Sequence, residues 1–177
     1  MQIAGRPYRT LWLADDGESV EIIDQTLLPH RLATVRLETV ADAARAILTM
    51  QVRGAPLIGA TAAYGVSLAL RRDASDAGLD AAIELLARQR PTAINLRWAL
   101  EEMRRAVGPL PASGRAQAAY AKAARIADDD VETCRMIGVH GLAILRAMAA
   151  AKSGRRLDIL THCNAGALAT AGCGTAL

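Results

Sequence analysis

The 177-residue sequence has no Phe, and its few Trp and Tyr bring aromatics to only 3%. A core without large rings is filled by small aliphatic side chains, and Ala and Leu dominate the 52% apolar content. That composition suits closely packed helices better than a β-sandwich. Without interleaved aromatics the arginines lack stacking platforms, so a single-strand nucleic-acid surface is not expected. Lys is nearly absent and Arg carries almost all the positive charge, yet the net charge is only +3. A mild Arg excess fits solvated helix faces or a phosphorylated small substrate. Cysteine is sparse: Cys134, Cys163 and Cys173 are odd in number and irregularly spaced. That is no disulfide framework, and it suggests a reducing, cytoplasmic setting. His30, His140 and His162 are dispersed, and no His/Cys cluster has metal-ligand spacing, so no metal is expected. There is no basic n-region followed by an apolar h-region. No uncharged apolar run approaches the roughly 18 residues of a membrane span, so no membrane association is expected. G-x-S-x-G, P-loop and G-x-G-x-x-G motifs are all missing.

What is present falls into a strand-rich start and a long helical body. Residues 8–13 and 20–28 read as strands around the turn-forming Asp15-Asp16-Gly17. Pro29-His30 connects to residues 32–38, where Ala33, Val35 and Leu37 alternate with Thr34 and Arg36. That period of two predicts a half-buried strand, and a small antiparallel meander is the simplest arrangement. The period then changes. Thr39 with Asp42 three residues on forms a loose capping box, and Val40, Ala44, Ile47 and Leu48 make one apolar stripe. A second helix is predicted from Pro56 to about residue 72. It is apolar nearly all round, hence buried, and Gly59 and Gly65 within it suggest close backbone approach. Further helices are predicted over residues 79–88 and 95–107, separated by Arg90-Pro91-Thr92.

Gly108-Pro109-Leu110-Pro111 breaks the chain before a long helix over residues 115–152. Its apolar side comprises Ala123, Ile126, Cys134, Ile137, Gly141, Ile144, Leu145 and Met148. Gly138 and Gly141 each cost about 1 kcal/mol relative to Ala there, which implies a kink or a tightly packed neighbour. After Ser153-Gly154 the pattern changes again. Residues 157–162 read as a short buried strand, Cys163-Asn164-Ala165-Gly166 as a turn and Ala167 onward as a helix start. Such a unit belongs to α/β architecture, where a second parallel strand should follow. None follows before Leu177, so the chain is expected to continue elsewhere; the alternative is that 157–162 joins the meander. The domain expectation is therefore 1–152 for a sheet-plus-helical domain and 153–177 for the start of an α/β domain.

Chemistry has two natural places to sit. Cys163 lies where a strand should end and a helix begin, and the N–H groups and dipole of a helix N-terminus favour a thiolate. The ordinary reading is a packed cysteine. Arg53-Gly54-Ala55-Pro56 combines a fixed charge, a Gly and a helix N-terminus, which suits a phosphate cradle but also an ordinary loop. Arg90, before the rigid Pro91-Thr92 turn, repeats the theme. Cys134 reads as core, and Cys173, between Gly172 and Gly174, as close-packed. His162 and Cys163 are adjacent on a strand and should face opposite sides, which disfavours a dyad.

Three ordered blocks carry a stronger signal together. Val52-Arg53-Gly54-Ala55-Pro56-Leu57-Ile58-Gly59, Arg90-Pro91-Thr92-Ala93-Ile94-Asn95-Leu96 and Thr161-His162-Cys163-Asn164-Ala165-Gly166, the last running on to Gly174-Thr175-Ala176-Leu177, resemble the methylthioribose-1-phosphate isomerase family in order and spacing. The resemblance spans essentially the whole chain and stops about midway through such an enzyme. It implies an α+β N-terminal domain of a small antiparallel sheet plus helices, leading into a Rossmann-like α/β domain. It implies conversion of 5-methylthioribose 1-phosphate to 5-methylthioribulose 1-phosphate in methionine salvage, with no cofactor or metal, by a homodimer. By resemblance Arg53, Gly54, Ala55 and Arg90 bind the phosphorylated pentose and Cys163 is catalytic. The catalytic carboxylate is expected beyond residue 177, and Asp158 does not replace it. The isolated chain is then expected to be inactive. Ribose-1,5-bisphosphate isomerase and the non-catalytic regulatory subunits of the translation initiation exchange factor share this resemblance and are the alternatives.

Overall fold

The computed structural model describes residues 1–3, 5–152 and 156–176. A short hairpin of β1 (Gln2–Ile3) and β2 (Arg6–Pro7) opens the chain. An antiparallel meander of β3 (Leu11–Leu13), β4 (Val20–Ile23) and β5 (Thr34–Leu37) follows, in the order β3-β4-β5. Its register sets Leu11 opposite Ile22 and Val20 opposite Leu37, and all four are buried against the helices. Each contributes about 1.5–3 kcal/mol by leaving water. The other face carries Trp12, Glu21 and Arg36, where the exposed Arg36–Glu21 pair at 3.3 Å adds little. The β3–β4 turn is held by Asp16, which accepts from the Glu18 and Ser19 N–H groups and the Ser19 hydroxyl at 2.6–2.9 Å.

The strand expected over 20–28 stops at Ile23 because Asp24 turns the chain. Its carboxylate accepts from the N–H of Thr26 at 2.9 Å and from the Thr26 hydroxyl at 2.6 Å, an Asx turn. The next side chain, Gln25, is thereby turned into the interior.

Helix α1 (Val40–Leu48) begins with the reciprocal capping box. Asp42 N–H donates to the Thr39 hydroxyl at 3.1 Å, and Thr39 N–H donates back to the Asp42 carboxylate at 3.0 Å. Helix α2 (Ala55–Arg72) is the central element, packed against α1, α3 (Asp76–Ala87), α4 (Ile94–Val107) and the first half of α5 (Ala112–Ala151). Its glycines explain how it is surrounded. A Cβ on Gly59 would lie 3.0 Å from the Asn95 carbonyl of α4, and one on Gly65 3.0 Å from Ala43 of α1.

Helix α5 runs unbroken for 40 residues. Ala119, Ala123, Ile126, Ala127 and Cys134 are buried, as their stripe requires. Beyond Cys134 the same stripe emerges into solvent: Ile144 is 64% exposed, and Ile137 and Met148 are also exposed. Gly141 has open space around its Cα among the described residues, so no close neighbour accounts for it. By length and composition α5 contains a window apolar enough to cross a membrane, although its first half is built into the core. The expectation drawn from uncharged runs does not register this window because the window tolerates charged residues.

The last segment differs from its predicted form. Residues 157–162 form no strand; Ile159 is 67% and Leu160 98% exposed. An apolar run becomes a strand only where a neighbouring strand takes up its N–H and C=O groups. No such neighbour exists among the described residues, and the run does not join β3-β4-β5 either. In place of a helix from Ala167 there is a single 3-10 turn, Ala167–Ala169. A bridge between Gly166 and Gly174 closes residues 165–175 into a compact loop. The α+β class therefore holds for the described chain, without the strand–turn–helix unit.

Candidate anion-binding cleft

Two loops from distant parts of the sequence meet at the N-terminal end of α2. One joins α1 to α2 and carries Arg53 and Gly54. The other is the closed loop of residues 165–175. At Gly54 the two touch so tightly that a Cβ would sit 2.4 Å from the Cα of Ala169 and 2.5 Å from its carbonyl oxygen. Gly54 also has φ +104°, a region that side chains rarely adopt. Both constraints call for glycine, and they fix the distance between the loops.

The second loop is fastened from several sides. Thr10 donates its hydroxyl to the Thr170 carbonyl, and Gln25 donates its amide to the Leu168 carbonyl at 2.6 Å. The Ala171 N–H donates to the Asp130 carboxylate on α5 at 2.7 Å. Burial pushes the Asp130 carboxyl above the usual range, and the bond from Ala171 offsets that only in part.

Beside these loops opens a cleft of about 560 Å³. Arg53, Gly54, Ala55, Arg90 and Cys163 all line it. The remaining wall includes Gln25, Thr92 and Asn164, with Met50, Ile58 and Leu168 as apolar surface. Arg53 is exposed and its Nε donates to the Gln25 side-chain oxygen at 3.3 Å. Arg90 is half-buried, just before the turn in which Ala93 N–H bonds the Arg90 carbonyl at 2.9 Å. Among the described residues neither arginine has a carboxylate within ion-pair distance, and no Asp or Glu lines the cleft. Helix α2 adds the positive end of its dipole, and its first N–H, on Ala55, has no intrahelical acceptor. Two uncompensated guanidinium groups and a helix N-terminus lining one cleft make a site for an anion.

Cys163 lines the cleft from an exposed position with φ +65°, a left-handed conformation uncommon for a residue with a side chain. The helix N-terminus expected beside it is not there, since the first helical residue is Ala167. Cys134 is buried in the core, and burial pushes its thiol pKa up, with Asp130 and Cys173 adding to the shift. His162 is exposed and does not line the cleft. Asp158 pairs with Arg156 at 3.1 Å, also away from the cleft. No group of three or more His, Cys, Asp or Glu side chains is gathered for a metal among the described residues.

Gln25 is the wall residue that sequence reading overlooks. Its signal is a polar Asp24-Gln25-Thr26 run at the end of an apolar strand, which looks like an ordinary turn. Its 1% exposure is what distinguishes it.

A sequence model described as the initiation factor 2 subunit family matches residues 51–173. The chain is 59% identical over its whole length to the methylthioribose-1-phosphate isomerase of Paramagnetospirillum magneticum, covering 49% of that protein. It is 58% identical, over 99% of its length, to the methylthioribose-1-phosphate isomerase of Rhizobium meliloti, again covering 49%. The crystal structure of 5-methylthioribose 1-phosphate isomerase from Pyrococcus horikoshii superposes with a TM-score of 0.76 at 36% identity, over 94% of this chain and 46% of that one. Translation initiation factor eIF-2B subunit delta from A. fulgidus also superposes with a TM-score of 0.76, at 32% identity, over 94% of this chain and 48% of that one. The chain thus spans about half the length of these relatives.

Proposed function

The chain belongs to the initiation factor 2 subunit family, and from that premise we propose that it supplies the phosphate-binding, thiol-bearing half of a methylthioribose-1-phosphate isomerase. The reaction is 5-methylthioribose 1-phosphate to 5-methylthioribulose 1-phosphate, in methionine salvage. The observation that carries the reading is the one cleft lined by Arg53, Gly54, Ala55, Arg90 and Cys163 together, with no acidic residue lining it among the described residues.

The substrate explains why such a cleft is useful. Its anomeric oxygen carries the phosphate, so the ring lacks the free hemiacetal through which ordinary sugars open. Isomerisation moves a proton or hydride between C1 and C2 while the ester stays intact. Arg53, Arg90 and the α2 N-terminus anchor the phosphate dianion, which holds C1 and C2 in fixed relation to the wall. Cys163 then contacts the reacting carbons as an acid–base or polarising group. The carboxylate that completes the acid–base pair comes from the part of the family's length that follows residue 177. That part is a Rossmann-like α/β domain, and the complete enzyme is a cytoplasmic homodimer. The three free cysteines support the reducing compartment, and the exposed apolar half of α5 supports association.

The likeness to eIF-2B subunit delta supports a second reading, a non-catalytic subunit. Retention of both cleft arginines together with an exposed cysteine favours the enzyme. Turnover of methylthioribose 1-phosphate, followed by NMR on the chain extended to the family's length, separates the two. Robust turnover that collapses in Cys163→Ser supports the isomerase. Undiminished turnover in Cys163→Ser removes the thiol from the reaction, and no turnover at all favours the subunit. The 177-residue chain alone is expected to show none.

A further inference from the structure

The two loops that meet at Gly54 are also joined by one side chain beside the cleft. Gln25 is 1% exposed, and its amide is divided between the two loops. The oxygen accepts from Arg53 Nε at 3.3 Å, and the nitrogen donates to the Leu168 carbonyl at 2.6 Å. Its own position is fixed in turn. Gln25 N–H donates to the Gln51 carbonyl at 3.0 Å, and Gln51 donates its side-chain amide to Asp24 at 2.9 Å. Asp24 is buried, and although burial alone would raise its carboxyl, hydrogen bonds from Thr26 and Gln51 hold it below the usual range.

We infer that Gln25 is the positioning residue of the cleft, orienting the Arg53 guanidinium for an incoming phosphate while pinning the loop that bears Leu168 at the matching distance. A guanidinium has five N–H donors in one plane. Engaging Nε from behind fixes that plane and leaves the paired Nη groups for a bidentate contact with phosphate. Only an amide serves here. Glutamate accepts from Arg53 but cannot donate to Leu168, and it cancels the charge the phosphate needs. Methionine fills the same volume and does neither. Gln25 touches no reacting atom in this scheme and acts through Arg53.

The inference rests on the phosphate-binding reading of the cleft, so its test is made independent of turnover. In the 177-residue chain, the Arg53 Nε–H resonance, assigned with Arg53→Lys, should be distinct and slow to exchange beside that of solvent-exposed Arg88. Titration with inorganic phosphate should shift it. In Gln25→Met the resonance should collapse to the exposed-arginine position and phosphate affinity should fall about tenfold, the size expected for one hydrogen bond to a charged group. In Gln25→Glu the resonance should stay protected while phosphate affinity falls further than in Gln25→Met. A purely structural residue would not separate the two variants in that way. An Arg53 Nε–H that exchanges as fast as that of Arg88 in the unaltered chain overturns the inference even if neither variant folds. So does Gln25→Glu binding phosphate as tightly as wild type. A protected Arg53 that responds to Gln25, in a protein whose extended form shows no isomerisation, would leave the positioning role standing and discard only the assigned reaction.

Discussion

Replacing Gly54 by Ala tests whether the two loops are held at a fixed separation. The perturbation is one methyl group, but it meets two obstacles. At φ +104° and ψ +136° a side chain strains the backbone, a cost of about 1–3 kcal/mol. The new Cβ would also lie 2.4–2.5 Å from the Cα, Cβ and carbonyl oxygen of Ala169. Two of those atoms are backbone, so no rotamer change relieves the clash, and overpacking adds about 1–3 kcal/mol. The sum, about 2–6 kcal/mol, corresponds in a chain of this size to a Tm lowered by roughly 4–24 °C. If the cost exceeds what anchors the second loop, that loop will release instead, and the drop in Tm will be capped. Circular dichroism melting measures the first outcome and hydrogen exchange at the Ala169 and Ala171 amides the second. Gly17→Ala is the control: its φ is +69° but nothing lies within 4 Å of the added methyl, so only the conformational cost of about 1–2 kcal/mol remains. If Gly54→Ala melts no lower than Gly17→Ala and its loop amides stay protected, the packing argument is wrong. Removing the Ala169 methyl by Ala169→Gly should restore only part of the loss, because two of the three contacts persist.

Arg115 is buried and donates to the carbonyls of Leu110, Ala74 and Gly108 at 2.9–3.0 Å. Arg115→Leu should therefore cost about 2–4 kcal/mol in urea unfolding by orphaning those acceptors, and a loss within 0.5 kcal/mol of zero would contradict that bonding. The raised carboxyl of Asp130 means that the native state holds its proton more tightly than the unfolded chain. Its contribution to stability is full below the ordinary carboxyl value of 3.8 and declines as pH rises through the higher native value. Asp130→Asn keeps an acceptor for Ala171 and should melt higher than wild type at pH 7 but not at pH 3; the reverse order would refute the burial argument. Asp16 shows the opposite linkage. Ser19 hydroxyl and Glu18 and Ser19 N–H bonds hold it at about 2, so its contribution is lost as pH falls from 3.8 through that value, and Asp16→Asn should flatten this acid limb of the melting curve. Iodoacetamide mass mapping should label exposed Cys163 before Cys173, and buried Cys134 last; early labelling of Cys134 would mean that α5 does not pack as described.

Local features of this fold are written locally. The α1 start needs only Thr39 and Asp42, and the burial of α2 needs only an unbroken apolar composition with two glycines where neighbours press closest. Those are legible in the residues alone. Non-local features are not. Residues 157–162 have strand composition, yet a strand is a property of a pair, and the described chain has no partner for them. The second half of α5 carries the same apolar stripe as the first, and periodicity alone says nothing about whether a neighbour covers it. The site divides in the same way. Arg53, Arg90 and Cys163 stand out as residue types in suggestive loops, but only the resemblance across three blocks links them, and only the fold brings them around one cleft. Gln25 escaped because a buried amide bridging residues 53 and 168 has no sequence pattern at all.

The clasp between the strands and the closing loop spans most of the polypeptide: Thr10 reaches Thr170 and Gln25 reaches Leu168, separations of 160 and 143 residues. Closing a loop that long costs roughly 4 kcal/mol in chain entropy, and no neighbouring contact rewards it until the last residues arrive. The helical body can assemble from contacts between successive elements long before then. A polypeptide cut just ahead of residue 168 would thus keep the body around α2 and both arginines of the anion cleft, but would lack the loop that presses on Gly54 and takes up the Gln25 amide.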